Sequence, residues 1–249
     1  MGKLRYEEML PHEIVEARTK CPIAYVAIGG VEWHGQHLCV GNDAVKANAL
    51  ALKCAEKGGG LVFPPLFWGE NRESHLMEAN HDAEGRICQL MGLPSHSFAP
   101  GYMQRSVYDQ DRAYIELLVH ILRQIESLGF RLIVILAGHY PLLKHARAAV
   151  EWYSLDAKAK AWACTGYELV RDEIPEAGDH AAAWETSLLM ALRPDCVDMS
   201  QLPEDPEEKL VGVGGRDPRE YASLAFGQRG VELVVERITA KAKELLEGR

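Results

Sequence analysis

Residues 131–137 read RLIVILA, and no polar side chain interrupts the run from 132 to 136. A strand with one face in water alternates apolar and polar residues, whereas a continuous apolar strand must be covered on both faces. That condition describes a central strand of a parallel sheet held between layers of helices. Residues 23–28 (IAYVAI) repeat the pattern and end in Gly29-Gly30, which reads as a second buried strand followed by a tight turn. Leu61, Val62 and Phe63 read as a third strand closed by Pro64-Pro65, and residues 160–164 as a fourth.

Helical periodicity falls between these strands. One helix is predicted over 44–57, with Val45, Ala49, Leu52 and Ala55 on one side and Gly58-Gly59-Gly60 as its stop. Others are predicted over 104–128, ending at Gly129, and over 142–159, 184–192 and 230–247, with a loop at 166–180. Strands alternating with helices predict an α/β architecture in layers. With no repeat, low-complexity stretch or linker, residues 1–249 are expected to form one domain. Residues 69–103 are polar and broken by Gly and Pro, and a connection that long is uncommon without a function or structure of its own.

Composition narrows the function classes. Against 27 basic residues stand 36 acidic ones, a net charge of −9, which argues against a non-specific nucleic-acid or anionic-membrane binder. No apolar run approaches the ~20 residues needed to span a bilayer. The charged start, 1–11, is unlike a secretory signal. The six cysteines, at 21, 39, 54, 88, 164 and 196, form no C-x-x-C pair, as expected of thiols in a reducing cytoplasm.

In open α/β sheets, ligands gather at the carboxyl ends of the strands. After 23–28 comes Glu32-Trp33-His34-Gly35-Gln36-His37-Leu38, with Asp43 at the start of the next helix. After 131–137 come Gly138, His139, Tyr140 and Pro141, and near a later helix start lie Asp179, His180, Trp184, Glu185, Thr186 and Ser187. Imidazoles and carboxylates without a thiolate suit Zn, Mn or Fe as divalent ions. Asp43 at a helix N-terminus is held ionised by the helix dipole, as a ligand must be, although the same position suits a plain helix cap. Gly35 between the imidazoles lets the backbone fold tightly, and Gly138 suits a close backbone approach.

The order E-x-H-G-x-H-L, an Asp eleven residues after the Glu, G-H after a central strand and then H-x-x-x-x-E-T-S resembles the creatininase (creatinine amidohydrolase) family over roughly 22–198. The resemblance is weakest over 69–94, which reads as an insertion. It implies a three-layer αβα sandwich with a largely parallel sheet, two divalent metal ions per subunit and hydrolysis of a cyclic or linear amide C–N bond in a small nitrogenous metabolite. It also implies a homo-oligomer, as the well-studied hexameric members suggest, with no nucleic-acid or membrane partner.

Carried over residue by residue, Glu32 and His34 each bind one metal, Asp43 bridges both, and His139 is a further ligand. The family's namesake has a metal-binding Glu two residues after that His, where this chain has Pro141, which cannot coordinate. Relatives lacking it, such as the formylamino-pyrimidine deformylases, take the carboxylate from the E-T-S motif, which makes Glu185 the fifth ligand. His180 matches the catalytic His, and Asp179, which stands where the namesake has Glu, is expected to be catalytic with it. Ala137, Cys39 and Asn42 depart from the family pattern in ways that spare the ligands but speak against creatinine itself as substrate.

His37 is assigned to supporting or substrate contact, Tyr140 to substrate contact as a hydroxyl able to face an oxyanion, and Trp184 to a pocket wall. Trp68, Trp152 and Trp162 read more simply as core, and His75, His81 and His96 as solvated loop residues with one near substrate. Gly212-Val213-Gly214-Gly215 lacks the strand and helix of a phosphate loop and reads as a turn. Two alternatives stay open: a metal-binding assembly protein without turnover, and a peptide-cleaving enzyme like the mycofactocin-type relatives.

Overall fold

The computed structural model describes residues 2–248. In chain order its elements are α1 (Pro11–Lys20), β1 (Ile23–Ile28), α2 (Asn42–Gly58), β2 (Leu61–Leu66), α3 (Arg72–His75), α4 (Met77–Asn80), α5 (Arg86–Leu90), α6 (Val107–Ser127), β3 (Leu132–Ala137), α7 (Leu142–Ser154), β4 (Lys160–Cys164), α8 (Ala183–Leu192), α9 (Pro218–Tyr221) and α10 (Leu224–Glu247). The four strands form one all-parallel sheet in the order β2-β1-β3-β4. β1 and β3 are thus central, and every residue of both is buried, as their unbroken apolar sequences require.

Alternate side chains of these strands enter different cores, which makes the fold a three-layer αβα sandwich. Tyr25, Ala27, Leu132, Val134 and Leu136 face α2, α8 and α10. Ala24, Val26, Ile28, Ile133 and Ile135 face α6 and α7. Truncating a fully buried strand residue such as Ile133 to Ala would cost ~2–5 kcal/mol, because the cavity left behind collapses only partly.

Four sequence expectations need correction. β2 continues through Pro64 and Pro65 to Leu66; it is an edge strand, where a residue without an N–H is tolerated. α7 stops at Ser154 rather than at 159 because Glu126 of α6 accepts the amides of Lys158 and Ala159, at 3.1 and 3.3 Å, and turns the chain into β4. α10 begins at Leu224, through Gly227, whose lack of a side chain is a packing requirement: a Cβ there would lie 1.7 Å from the Ser187 carbonyl of α8. Finally, α1 was not anticipated; it buries no residue, so it leaves no strong apolar stripe, and its signals are Pro11 in the first turn and Glu13 accepting from the Leu10 amide. The stretch 69–103 carries three short helices of its own, α3 to α5. All six cysteines are free thiols, and among the described residues no helix is long and apolar enough to cross a membrane.

Candidate metal centre

The carboxyl ends of β1 and β3 meet the N-terminus of α2, and Gly138 is what allows the contact. A Cβ at that position would fall 1.9 Å from the Asp43 carbonyl oxygen. The Gly138 amide donates to the Ile28 carbonyl at 2.8 Å, extending the β1–β3 ladder one step and setting His139 beside Asp43. Asp43, in the first turn of α2, is held in the favourable end of the helix dipole.

Asp43 uses its two oxygens in two directions. Oδ1 lies 3.0 Å from His34 Nε2, and Oδ2 lies 2.9 Å from His139 Nδ1. Glu185 Oε2 joins the first side, 3.7 Å from His34 Nε2, and Glu32 Oε2 joins the second, 3.0 Å from His139 Nδ1. Two triads result, His34–Asp43–Glu185 and Glu32–Asp43–His139, each with ligand-type atoms within 4.8 Å of one another and all five residues buried.

The donor set fits cations. His34 Nδ1 donates to the Glu32 carbonyl at 3.1 Å, so in the neutral ring Nε2 is a bare lone pair aimed at two carboxylate oxygens. Acceptors face acceptors unless a proton or a cation lies between them, and a ligating His commonly gives its other N–H to a carbonyl in this way. Glu32 Oε1 is taken by the Met77 amide at 2.6 Å, whereas buried Oε2 faces only the His139 imidazole, 3.0 Å from Nδ1. In the metal-free protein the protons do this work. Burial alone would lower His34, yet Asp43, Glu185 and Glu32 hold it up at about 9. His139 is likewise held up, against burial, by hydrogen bonds to Asp43 and Glu32, to about 10. The same contacts keep Asp43 well below the usual carboxylate range in spite of its burial.

A charged neighbour absent from the sequence reading is Lys46. It is 2% exposed, ion-paired with Glu185 Oε1 and 3.7 Å from Asp43 Oδ1. A lysine inside a helix reads as solvated, and the only available signal was its place three residues after Asp43, on the same face. Burial opposes its charge, but Glu185 and Asp43 raise its pKa.

The other predicted residues divide. His180 and Tyr140 line a cavity of about 360 Å³ together with Glu32, Asp43, His139 and Glu185. His180 Nε2 donates to the Trp33 carbonyl at 2.9 Å, and its ring lies 4.4 Å from that of His34. Burial, then His34, lowers its pKa. The Tyr140 hydroxyl is buried beside Glu185, and burial with the nearby carboxylates raises its pKa well above normal. Asp179 also borders the cavity, but its oxygens accept the amides of Trp184 and Glu185, at 2.7 and 3.1 Å, so it caps α8. Burial and Glu185 push it up to about 7. Ala181, at φ 52, adopts the left-handed conformation and thereby aims its amide at Glu185 Oε2, 2.8 Å away. Such a residue costs roughly 1–2 kcal/mol, strain of the kind that collects at functional sites.

His37 does not line the cavity; its Nε2 meets Thr186 Oγ1 at 2.9 Å and ties the first motif to α8. Trp184 corrects the expectation of a pocket wall. One residue before Glu185 it lies about 100° around the helix, and it packs in the core against Phe226 of α10, ring centres 5.9 Å apart. From the 69–103 segment, His75, Met77 and His81 reach the cavity, while His96 is exposed and Glu78 accepts the Trp33 amide at 3.0 Å. Trp68 and Trp152 are exposed rather than core. Gly214 pairs with His180 through both backbone groups, so the glycine-rich turn braces the site.

A layered αβα fold with paired carboxylate–imidazole triads at its strand ends defines the class, an α/β protein with two candidate metal sites. Within that class the chain is a member of the creatininase family: the family's sequence profile, described as creatinine amidohydrolase, matches residues 7–87 and 89–241. The creatinine amidohydrolase of Pseudomonas putida is 25% identical over 226 residues, covering 83% of this chain and 76% of that protein. A crystal structure of creatininase superposes with a TM-score of 0.75 at 19% identity, covering 99% of each chain. A manganese creatininase gives 0.74 at 19% identity, covering 98% of this chain and 99% of that one.

Proposed function

We propose that the chain hydrolyses a C–N amide bond of a small nitrogenous molecule, using two divalent cations held by the two triads. The observation that carries this reading is the division of Asp43, one oxygen to each imidazole, which is the arrangement a bridging carboxylate needs. Glu32, Asp43 and His139 would hold one ion, and His34, Asp43 and Glu185 the other. The similar creatininases are described with manganese, as a zinc–zinc form and in complex with creatine, which supports the assignment. When bound, the two ions supply Lewis acidity and acidify water.

The protein's own residues supply the rest. His180, anchored through Nε2 to the Trp33 carbonyl, keeps Nδ1 as the nitrogen free to exchange a proton. Its lowered pKa leaves it neutral at rest, so it first takes the proton of the attacking water and then returns it to the leaving nitrogen. Tyr140, uncharged and lining the cavity, is placed to donate to the developing oxyanion. Asp179 positions Glu185 by capping α8, and His37 steadies the first motif through Thr186. His75, Met77 and His81 bring the 69–103 segment into the cavity wall, where it sets substrate selectivity. Creatinine is not the expected substrate, because Pro141, Ala137, Cys39 and Asn42 all depart from the family's namesake. The assembly expected is a homo-oligomer; Trp68 and Tyr108, 69% and 71% exposed, are apolar surface that a neighbouring copy would cover.

The test is elemental analysis of protein purified without chelator, followed by a panel of cyclic amides, linear amides and dipeptides on the same sample. Two tightly held ions per chain and turnover of a non-peptide amide are expected. Turnover of dipeptides alone would move the assignment to a peptidase, and bound ions without any turnover would favour a binding role.

A further inference from the structure

A second group of ligand-type side chains lies beside the site and belongs to neither triad. His75 ends α3, Asp111 lies on α6 and His145 on α7. One ligand-type atom from each of the three falls within 4.8 Å of the others. His145 Nε2 is 2.9 Å from Asp111 Oδ1, and the His75 ring centre is 5.0 Å from that of His145. The imidazole-to-carboxylate separation matches those in the two triads, 3.0 and 2.9 Å.

An Asp–His pair would account for two of these residues but not for the third. Both ring nitrogens of His75 are buried and have no hydrogen-bond partner. His145 is 3% exposed, and its Nδ1 is likewise unpartnered. Buried polar atoms are normally satisfied, and a cation among these three side chains would take one of the two orphaned His75 nitrogens. Asp111 Oδ1 also accepts from Asn71 Nδ2 at 3.1 Å, a neutral donor that fixes the carboxylate without cancelling its charge. The ammonium that acts most on His75, that of Lys144, is exposed and therefore screened.

We propose that His75, Asp111 and His145 form a further divalent-metal site, taking a first-row ion such as Zn²⁺, Fe²⁺ or Mn²⁺. Two imidazoles and one carboxylate without a thiolate are the donors such ions share. Three protein ligands leave a coordination position open. His75 lines the same cavity as the two triads, with its ring 6.1 Å from that of His139, so that position is available to an oxygen of the bound small molecule. With a single carboxylate, this site should hold its ion more weakly than either triad and lose it first on dialysis.

The proposal stands apart from the assignment of the triads, and zinc stoichiometry tests both separately. Apoprotein prepared by chelation is titrated with Zn²⁺ alone, with far-UV circular dichroism confirming the fold. Wild type is expected to take one more ion per chain than Asp111→Asn or His145→Gln. Asp43→Asn should keep one ion, which the added Asp111→Asn removes. Should the His145 substitution fail to fold, His75→Asn, on a short and only half-buried helix, carries the same expectation. Equal zinc uptake by wild type, Asp111→Asn and His75→Asn would overturn the site. Uptake by Asp43→Asn equal to wild type would overturn the triad reading and leave this one standing, provided Asp111→Asn still takes one ion fewer.

Discussion

The two triads that share Asp43 are alike in donors and different in charge. Each has one imidazole and two carboxylates, counting the shared one. His34–Asp43–Glu185, however, has the Lys46 ammonium on Glu185 and near Asp43 Oδ1, whereas in Glu32–Asp43–His139 the outer carboxylate pairs, among the described residues, with no lysine or arginine. The carboxylates are also held differently. Glu185 has both oxygens engaged from outside its triad, by Lys46 and the Ala181 amide, while Glu32 Oε2 faces only the imidazole of its own triad. Similar donor sets can therefore offer a cation unequal sites, and the difference comes from neighbours rather than ligands.

The largest effect is expected where the triads meet. Asp43→Asn should remove both ions of the triads and abolish turnover, since the bridge belongs to both coordination shells. Thermal stability measured with metal present should fall too, because bound metal adds to folding free energy. Loss of one ion alone, by elemental analysis, would demote Asp43 to a terminal ligand and dissolve the symmetry of the comparison. Next come the outer carboxylates. Glu32→Gln and Glu185→Gln should each cost a single ion, and a double loss from either would mean that the halves are not separable.

How much of this was legible in the sequence depends on the range of the signal. β1 and β3 could be read because a strand buried on both faces writes a continuous apolar run, and Gly138 marked the backbone approach that seats Asp43. The five candidate ligands were legible through motif order and resemblance. Lys46 was not, because burial of a lysine is decided by what Glu185, 139 residues away, brings to it. Asp111 and His145 were missed for the same reason, as isolated polar residues on two long helices. Trp184 was misplaced because the motif names neighbours in sequence, while the helix turns them to different faces.

His180 sharpens the comparison from the cavity side, since it lies against His34 but is assigned no ion. His180→Ala should keep both ions and the fold while slowing kcat by about 10²–10⁴-fold, with KM little changed. Near-normal kcat with a lowered Tm would make it structural, and metal loss parallel to activity would make it a ligand.

The smallest effect tests the asymmetry itself. If Lys46 weakens the cation site of its own triad, Lys46→Met should tighten that ion by about tenfold and leave the other unchanged. Methionine keeps the length and apolar stem of the buried Lys46 and removes only the charge, which sits over the Tyr140 ring, 5.1 Å from its centre. Unit charges about 4 Å apart at an effective dielectric near 20 repel by ~4 kcal/mol. Part of that is offset because Glu185, freed of its ammonium, must relax around the ion, so about tenfold is a conservative expectation. Competition with a chromophoric chelator would resolve two binding steps, with only one of them shifting between wild type and variant. A variant that binds that ion more weakly would mean that Lys46 orients Glu185 for coordination. The asymmetry would then be one of geometry, with the ammonium acting as a support for the ligand it touches.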